Sequence, residues 1–250
     1  MCLYDLWKYK LFTRAINSSY ELISPRLSSS QYDMLKIIAV LAMVVSHVGM
    51  FALSEYSNIS FEIGRVAMPL FSFLLMYGYI HYTSSPLKYL VRIFIVALVS
   101  QAPASQLFDI EGYIMSLNIM FTLFFGLLIV YLLDYGINSK EKKYTYFSFY
   151  LAAILFMASG IFVDYFYLGL ILIISYWSWL RFSSHQTLYA AMIATSLLNI
   201  PYGIFVSVWG MGALVILYLV MNTKFKFPRI NKWFFYLFYP VHLVILNIIF

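Results

Sequence analysis

The sequence predicts an all-α integral membrane protein, a polytopic bundle of about nine transmembrane helices (eight to ten) whose N-terminus is cytoplasmic. Of its 250 residues, 63% are hydrophobic and only 10% are charged, and the mean hydropathy is +0.85. Apolar runs of about 20 residues recur between short polar loops, and this is the length of a helix that crosses the hydrocarbon core. Strands of a membrane barrel would alternate in polarity instead. These observations exclude a soluble globular domain.

The first domain, residues 1–33, is predicted to be a cytoplasmic amphipathic segment that ends in a Ser-rich linker. Leu3, Trp7 and Leu11 fall on one helical stripe, and the basic residues fall elsewhere. This pattern is typical of a helix that lies in the headgroup layer, and the alternative is an unstructured tail. The linker extends from Ser24 to Ser30.

The second domain, residues 34–250, is predicted to be the membrane-embedded part of the chain. Each of its apolar runs is assigned to one span, because a lipid-exposed backbone must satisfy its own hydrogen bonds. The predicted spans are 34–53, 63–82, 87–104, 117–134, 144–163, 165–180, 187–200, 202–221 and 233–250.

In this arrangement the basic and acidic loop residues fall on opposite sides of the membrane. The apolar runs are chosen by hydropathy alone, so this separation of charge is an independent check. Every Lys and Arg except Arg65 falls on one side. The positive-inside rule makes that side cytoplasmic, so the net charge of +6 reflects topology rather than nucleic acid binding. Since Cys2 is the single cysteine, no cysteine-based metal site is expected, and we predict no metal. The acidic loop residues on the opposite side are Glu55, Glu62, Asp109, Glu111 and Asp164.

Ionisable residues inside the predicted spans are candidate functional residues, because burying a charge in a membrane is costly. One layer, near the cytoplasmic face, contains Lys36, Lys88 and Arg92. Lys88 and Arg92 are four residues apart and share a helix face, so this layer predicts a basic mouth for phosphates. Alternatively, these side chains are interfacial anchors that snorkel to the headgroups.

A second layer nearer the outer face contains His47, Arg65, His242 and Asp164. Acyl transfer needs a base for the acceptor and a cation or donor for the developing oxyanion. We expect His47 to be the base or a transient acyl carrier, and Arg65 or His242 to hold the oxyanion. Asp164 is expected to orient an imidazole. The alternative for each histidine is a hydrogen-bonded residue of the bundle core.

Lys36 and His47 lie on the same predicted helix, eleven residues apart. Eleven steps of about 100° return nearly to the same face, and a rise of 1.5 Å per residue separates the two by about 16 Å. A basic group near the membrane surface and an imidazole deeper inside suit a long, anionic, thioester-carrying ligand that enters from one side.

Seven segments of the chain resemble the TraX family, and they occur in the family's order. The blocks around Arg65 and Pro69 and the block that ends at His242 are the more distinctive ones. The resemblance extends over nearly the whole hydrophobic chain. The segments are Asp33–Ala39, Met43–Gly49, Gly64–Leu74, Arg92–Gln101, Leu117–Leu123, Asp164–Tyr165 and Phe238–Leu243.

The resemblance implies an acetyl-CoA-dependent N-acetyltransferase in the bacterial inner membrane, because the family prototype acetylates the N-terminus of conjugative pilin. Acetyl-CoA would be the co-substrate, and a pilin subunit and membrane lipid would be the partners. The spacing of Lys36 and His47 is also similar to a motif of the wider transmembrane acyltransferase superfamily, in which the histidine is taken as catalytic. Family members usually have an aspartate directly before this histidine, where this chain has Ser46.

Two other functions fit the same residues, and an inactive scaffold that retains the fold is a third alternative, for which Ser46 is the only hint. The first is an O-acyltransferase that modifies a cell-surface glycan or lipid. The second is a membrane transporter or channel without acyl transfer, in which His47, Arg65 and His242 line a pathway. The confinement of the basic layer to one side and the lack of an evident internal repeat favour acyl transfer over transport.

Overall fold

The computed structural model describes residues 25–52, 58–108 and 117–250, and its regular structure in these ranges is helical apart from one isolated bridge between Leu117 and Val163. The predicted amphipathic helix of residues 1–33 lies largely outside the described residues, as do Glu55, Asp109 and Glu111. The α-helices of the described ranges are α1 (Ser29–Ala52), α2 (Asn58–Gly64), α3 (Ala67–His81), α4 (Pro86–Leu107), α5 (Ile119–Asn138), α6 (Lys142–Ser159), α7 (Phe166–Phe182), α8 (His185–Leu197), α9 (Ile204–Asn222) and α10 (Lys232–Ile249), with a 3₁₀ turn at Ile200–Tyr202.

Each of the nine predicted spans overlaps a helix, so the multi-span helical fold is confirmed. The number of spans is confirmed only in part. Helix α7 is apolar but only 17 residues long, and membrane crossing by α6, α7 and α8 remains a prediction. Within the described ranges, 6 helical stretches are long and apolar enough to cross a membrane, namely Ser29–Phe51, Ile59–His81, Pro86–Leu107, Ile119–Asn138, Ile204–Asn222 and Lys232–Ile249.

Helix α1 begins at Ser29, earlier than the predicted start of the first span, so part of the predicted linker is helical. The cause is a reciprocal cap. The Gln31 amide donates to Ser28 Oγ over 3.2 Å, and the Ser28 amide donates to Gln31 Oε1 over 2.8 Å. These two bonds satisfy donors that the first helical turn would otherwise leave open.

The second predicted span is broken between α2 and α3, at Arg65 and Val66. Pro69 lies four residues after Arg65 and has no amide hydrogen, so it cannot donate to the Arg65 carbonyl. The backbone tightens there instead, and the Arg65 amide donates to the Glu62 carbonyl over 3.0 Å. This break places a buried arginine at a bend of the chain.

Helix α3 is the centre of the bundle. It packs against α1 and α7 and also contacts α5 and α9, and nearly all of its residues are buried. The Phe73 ring meets Tyr176 edge-on at 5.7 Å between centroids and lies 5.8 Å from Trp179. Since lipid is as apolar as the helices, such close packing and hydrogen bonds hold membrane helices together more than the hydrophobic effect does.

The outer helices expose apolar side chains. On α4 they follow one face of the helix, and the opposite face packs against α5 and α10. A continuous apolar surface of this kind is typical of a helix that faces lipid. The exposed apolar side chains of α4 are Leu87, Val91, Phe94, Ile95, Leu98 and Val99.

Candidate functional site

An internal cavity of about 670 Å³ lies inside the bundle, between α1, α3, α4, α5 and α10. Its middle is apolar, with Val40, Met43, Leu74 and Ile93 among the lining side chains. Lys36 and His47 both line it, about 16 Å apart along α1. We call its two ends the histidine end (His47, Arg65 and Asp164) and the basic end (Lys36, Arg92, Arg229 and Lys232).

His47 and His242 form a pair at the histidine end. His47 Nδ1 lies 3.0 Å from His242 Nε2, and the two rings are nearly parallel, with 8° between their planes. Phe108 meets the His47 ring edge-on and Phe238 stacks on His242, so aromatic side chains hold both imidazoles. His242 is buried behind His47, which faces the cavity.

A backbone carbonyl fixes the tautomers of the pair. His242 Nδ1 lies 3.2 Å from the Phe238 carbonyl oxygen, which can only accept a hydrogen bond, so His242 Nδ1 carries the hydrogen. His242 Nε2 then accepts from His47 Nδ1. It follows that His47 Nε2 keeps its lone pair, which is the form that a general base requires.

Arg65 is buried at the bend before α3, with 9% of its surface exposed. Its guanidinium carbon lies 3.9 Å from the centre of the Phe61 ring and 5.0 Å from that of Tyr202, and Tyr165 is slightly farther away. Such contacts stabilise a cation by about 0.5–2 kcal/mol each. Among the described residues no carboxylate lies within ion-pair distance of Arg65, although its charge acts on the nearby Asp164 carboxyl.

Asp164 lies in the connection between α6 and α7 and is held by its backbone. The Asp164 amide donates to the Leu117 carbonyl over 3.2 Å, and Thr122 Oγ1 donates to the Asp164 carbonyl over 2.8 Å. The side chain accepts from the Tyr165 amide and faces the cavity. Surrounding protein raises the pKa of the Asp164 carboxyl above its usual value, which that hydrogen bond and the Arg65 guanidinium partly oppose.

The backbone directly after Asp164 is strained. Tyr165 and Phe166 have φ angles of 60° and 47°, which are uncommon for residues with a side chain. Each such residue costs on the order of 1–3 kcal/mol, and such strain clusters at functional sites. The result is that Asp164 and the Tyr165 ring both reach the cavity from one short connection.

Ser46 is buried where α1 crosses α2. A Cβ atom added to Gly64 would overlap the Ser46 side chain, and one added to Gly49 would overlap Ser60. Small residues therefore let the two helices approach closely. Arg65 directly follows Gly64 in the chain.

A buried carboxylate organises the basic end. Asp33 is 1% exposed, and its two oxygens lie 3.0 Å from Lys36 Nζ and 2.8 Å from Arg229 Nε. Lys36 Nζ also lies 4.2 Å from the centre of the Tyr32 ring and 4.6 Å from that of Phe235. Asp33 thus fixes two cations of the cavity wall.

The other two basic residues predicted to bind a cofactor differ in placement. Arg92 lines the cavity and interacts with the Tyr236 hydroxyl. Lys88, one turn earlier on α4, is exposed and is not part of the cavity wall. The structure therefore brings Lys36 and Arg92 to one end of the cavity and leaves Lys88 outside it.

Among the lining residues that the sequence did not predict are Arg229, Lys232 and Tyr165. The sequence places Arg229 and Lys232 in a cytoplasmic loop, where the positive-inside rule alone accounts for their charge. The packing of residues 223–231 against α1 left no signal in the pattern. Tyr165 lies in a segment that resembles the TraX family, but left-handed backbone at a tyrosine has no sequence signature that would mark it as a site residue.

A family model described as "TraX protein" matches residues 31–250 of the chain. The matched region includes both ends of the cavity and His242. Comparison with curated proteins and with solved structures finds no match. Within the described ranges, no group of three or more His, Cys, Asp or Glu side chains is arranged to hold a metal ion.

Proposed function

This chain belongs to the TraX family, and on that premise we propose that it is an integral membrane acetyltransferase that moves an acetyl group from acetyl-CoA to an acceptor. One observation carries the proposal. A single cavity joins a cluster of cations to a histidine whose tautomer is fixed for proton abstraction. The apolar stretch between them suits a ligand that is anionic at one end and reactive at the other.

The donor would bind with its phosphates at the basic end. Lys36 and Arg92 would make charge-assisted hydrogen bonds to them, and these are stronger than hydrogen bonds between neutral groups. The pantetheine arm would follow the apolar wall. Its extended length matches the separation of about 16 Å between Lys36 and His47, so the thioester would arrive beside the imidazole.

The reaction would proceed by general base catalysis. His47 Nε2 takes a proton from the acceptor as its nitrogen or oxygen attacks the thioester carbonyl carbon. The oxyanion that forms faces the Arg65 guanidinium. The carbon–sulfur bond then breaks, and the CoA thiolate leaves and takes the proton back from the His47 imidazolium. His242 keeps the His47 ring in the tautomer that can accept the proton.

The acceptor would enter at the histidine end. Membership of the family favours the N-terminus of a pilin subunit, because that is the acceptor of the family prototype. An amine would meet Asp164, which lines the cavity at this end. We place this end in the outer half of the bacterial inner membrane, with the basic end at the cytoplasmic face.

The test is a transfer assay with acetyl-labelled CoA. Washed membranes that contain the wild type, His47→Ala or His185→Ala are incubated with the donor and a conjugative pilin, and the protein, lipid and glycan fractions are separated. His185 is an exposed histidine at the start of α8 and serves as the matched control. We expect label in the protein fraction with the wild type and His185→Ala, and little with His47→Ala.

Other outcomes would change the proposal in defined ways. Label in the glycan or lipid fraction would identify an O-acyltransferase that uses the same site. Equal labelling with folded wild type and His47→Ala would remove His47 from the mechanism. Flux of protons or solutes through liposomes, without any labelled product, would indicate a transporter.

A further inference from the structure

Residues 223–231 form an extended segment that crosses the basic end and leads into α10, and we call it the strap. Three side chains at the start of α1 hold it. Ser30 exchanges two hydrogen bonds with the Phe227 backbone, and Gln31 donates to the Thr223 carbonyl over 3.3 Å. Asp33 accepts from the Ile230 amide over 3.3 Å and pairs with Arg229. The strap therefore has a fixed course.

The strap brings its cations to the mouth of the cavity. Arg229 lines the cavity although its side chain is 66% exposed, and Lys232, just after the strap, is also exposed and lines it. The cavity therefore reaches the surface beside these two residues. Lys226, in the same strap, is exposed but is not part of the cavity wall.

The positive charge at this mouth exceeds the negative charge that the protein supplies. Lys36, Arg92, Arg229 and Lys232 line it, and among the described residues Asp33 is the one carboxylate that pairs with any of them. Asp33 approaches Arg229 through Nε. The terminal nitrogens of a guanidinium remain as a fork that matches the oxygens of a phosphate.

We propose that Arg229 and Lys232 bind the phosphates of the donor nucleotide at the cavity mouth, with the strap as the element that positions them. This inference rests on the proposed function, since it takes the ligand to be CoA with its diphosphate and 3′-phosphate. Three phosphate groups need more cations than Lys36 and Arg92 provide. Asp33 contributes by holding Arg229 and Lys36 beside each other at the mouth.

The test measures binding of adenosine 3′,5′-bisphosphate, which has the 3′-phosphate and one of the two 5′ phosphates of CoA but no thioester. The purified protein is placed in phosphatidylcholine nanodiscs, and binding is measured by calorimetry for the wild type, Arg229→Gln, Lys232→Gln and Lys226→Gln. We expect about tenfold weaker binding for each of the first two variants and less than about twofold change for Lys226→Gln. Lys232→Gln leaves Asp33 and its ion pairs intact, so it is informative even if Arg229→Gln folds poorly.

Three results would overturn the inference, and a fourth would overturn the proposed function alone. Equal weakening in Lys226→Gln and Arg229→Gln would show that only general attraction acts at this surface. Loss of nucleotide binding in nanodiscs that contain phosphatidylglycerol would assign the cations to a lipid phosphate instead. Nucleotide binding without any acetyl transfer would refute the proposed function alone. Acetyl transfer with the same KM for acetyl-CoA in Arg229→Gln and Lys232→Gln as in the wild type would refute the role of the strap alone.

Discussion

The two ends of the cavity hold their polar groups in opposite ways. At the histidine end, His242 and Arg65 are buried, and rings and backbone carbonyls fix their positions. At the basic end, Arg229 and Lys232 are exposed, and one buried carboxylate organises the cluster. The histidine end therefore holds individual atoms at fixed positions, whereas the basic end holds a cluster of positive charge whose side chains reach solvent.

This difference indicates that the two ends of the cavity have different roles, proton transfer at the histidine end and phosphate recognition at the basic end. Proton transfer depends on hydrogen-bond geometry, so displacement of a catalytic group by about 1 Å can cost a hundredfold in rate. Phosphate recognition depends on the positive charge at the mouth and on the fork of Arg229, and exposed side chains can adjust to the ligand as it binds. We therefore expect variants at the histidine end to lower kcat and variants at the basic end to raise KM for acetyl-CoA.

The largest expected effect is on His47. His47→Ala should lower kcat by about 10²–10⁴-fold, the usual range for loss of a general base, and should leave KM for acetyl-CoA within a few fold. Steady-state kinetics of the protein in nanodiscs measures both constants. Arg92→Gln is the counterpart from the basic end and should raise KM instead. A variant of His47 that changed KM alone would contradict the division between the ends.

His242 should have a smaller effect, because it acts through His47. His242→Leu removes the acceptor for His47 Nδ1 and should lower kcat by about 10–100-fold, as losses of orienting partners commonly do. His242→Gln keeps a carbonyl oxygen that can accept this hydrogen bond and an amide that can donate to Phe238. It should recover part of the activity. If leucine and glutamine variants were equally impaired, His242 would serve packing rather than tautomer control.

The close contact between Gly64 and Ser46, directly before Arg65 in the chain, can be tested by adding one methyl group at Gly64. In Gly64→Ala the new Cβ overlaps Ser46, so α1 and α2 must separate, which should destabilise the protein by about 1–3 kcal/mol. Gly212→Ala is the matched control, because its Cβ would lie 3.4 Å from Val66 Cγ1, and it should be nearly neutral. Thermal unfolding in detergent compares the two. Equal Tm values would show that this crossing is loosely packed.

The smallest expected effect concerns Asp164 and pH. Because its folded-state pKa is raised, the folded protein holds this proton more tightly than the unfolded chain does. The stabilisation is complete below the ordinary pKa of aspartate and is lost as pH rises through the raised value. The Tm of the wild type relative to Asp164→Asn should therefore fall as pH rises across that window. A difference that grew with pH would contradict the raised pKa.

Local features of the site could be predicted from the sequence. Lys36 and His47 lie on one helix, so their spacing alone predicts a shared face, and both line the cavity. The sequence also contains signals for two helix boundaries, the start of α1 and the break before α3. Ser28 and Gln31 have the spacing of a capping box, and Pro69 marks the break before α3.

Contacts between distant parts of the chain could not be predicted in this way. His47 and His242 are 195 residues apart, and similar depth in the membrane does not show that two side chains meet. The positive-inside rule already accounts for the charge of Arg229, so that charge did not indicate that the residue lines the cavity. The pairing of Asp33 with Arg229 depends on the course of the strap, and tertiary packing sets that course.

The cations of the cavity also bear on how such a protein keeps a membrane sealed. A partly polar cavity inside a membrane-spanning bundle is a potential leak for protons and sodium, which the membrane potential would drive. Fixed positive charges in a narrow, weakly polarisable passage repel cations, as they do in selective pores. Arg65 at one end and the Lys36 cluster at the other would impose such a barrier twice. The charges proposed to attract an anionic donor would therefore also protect the energy stored across the membrane.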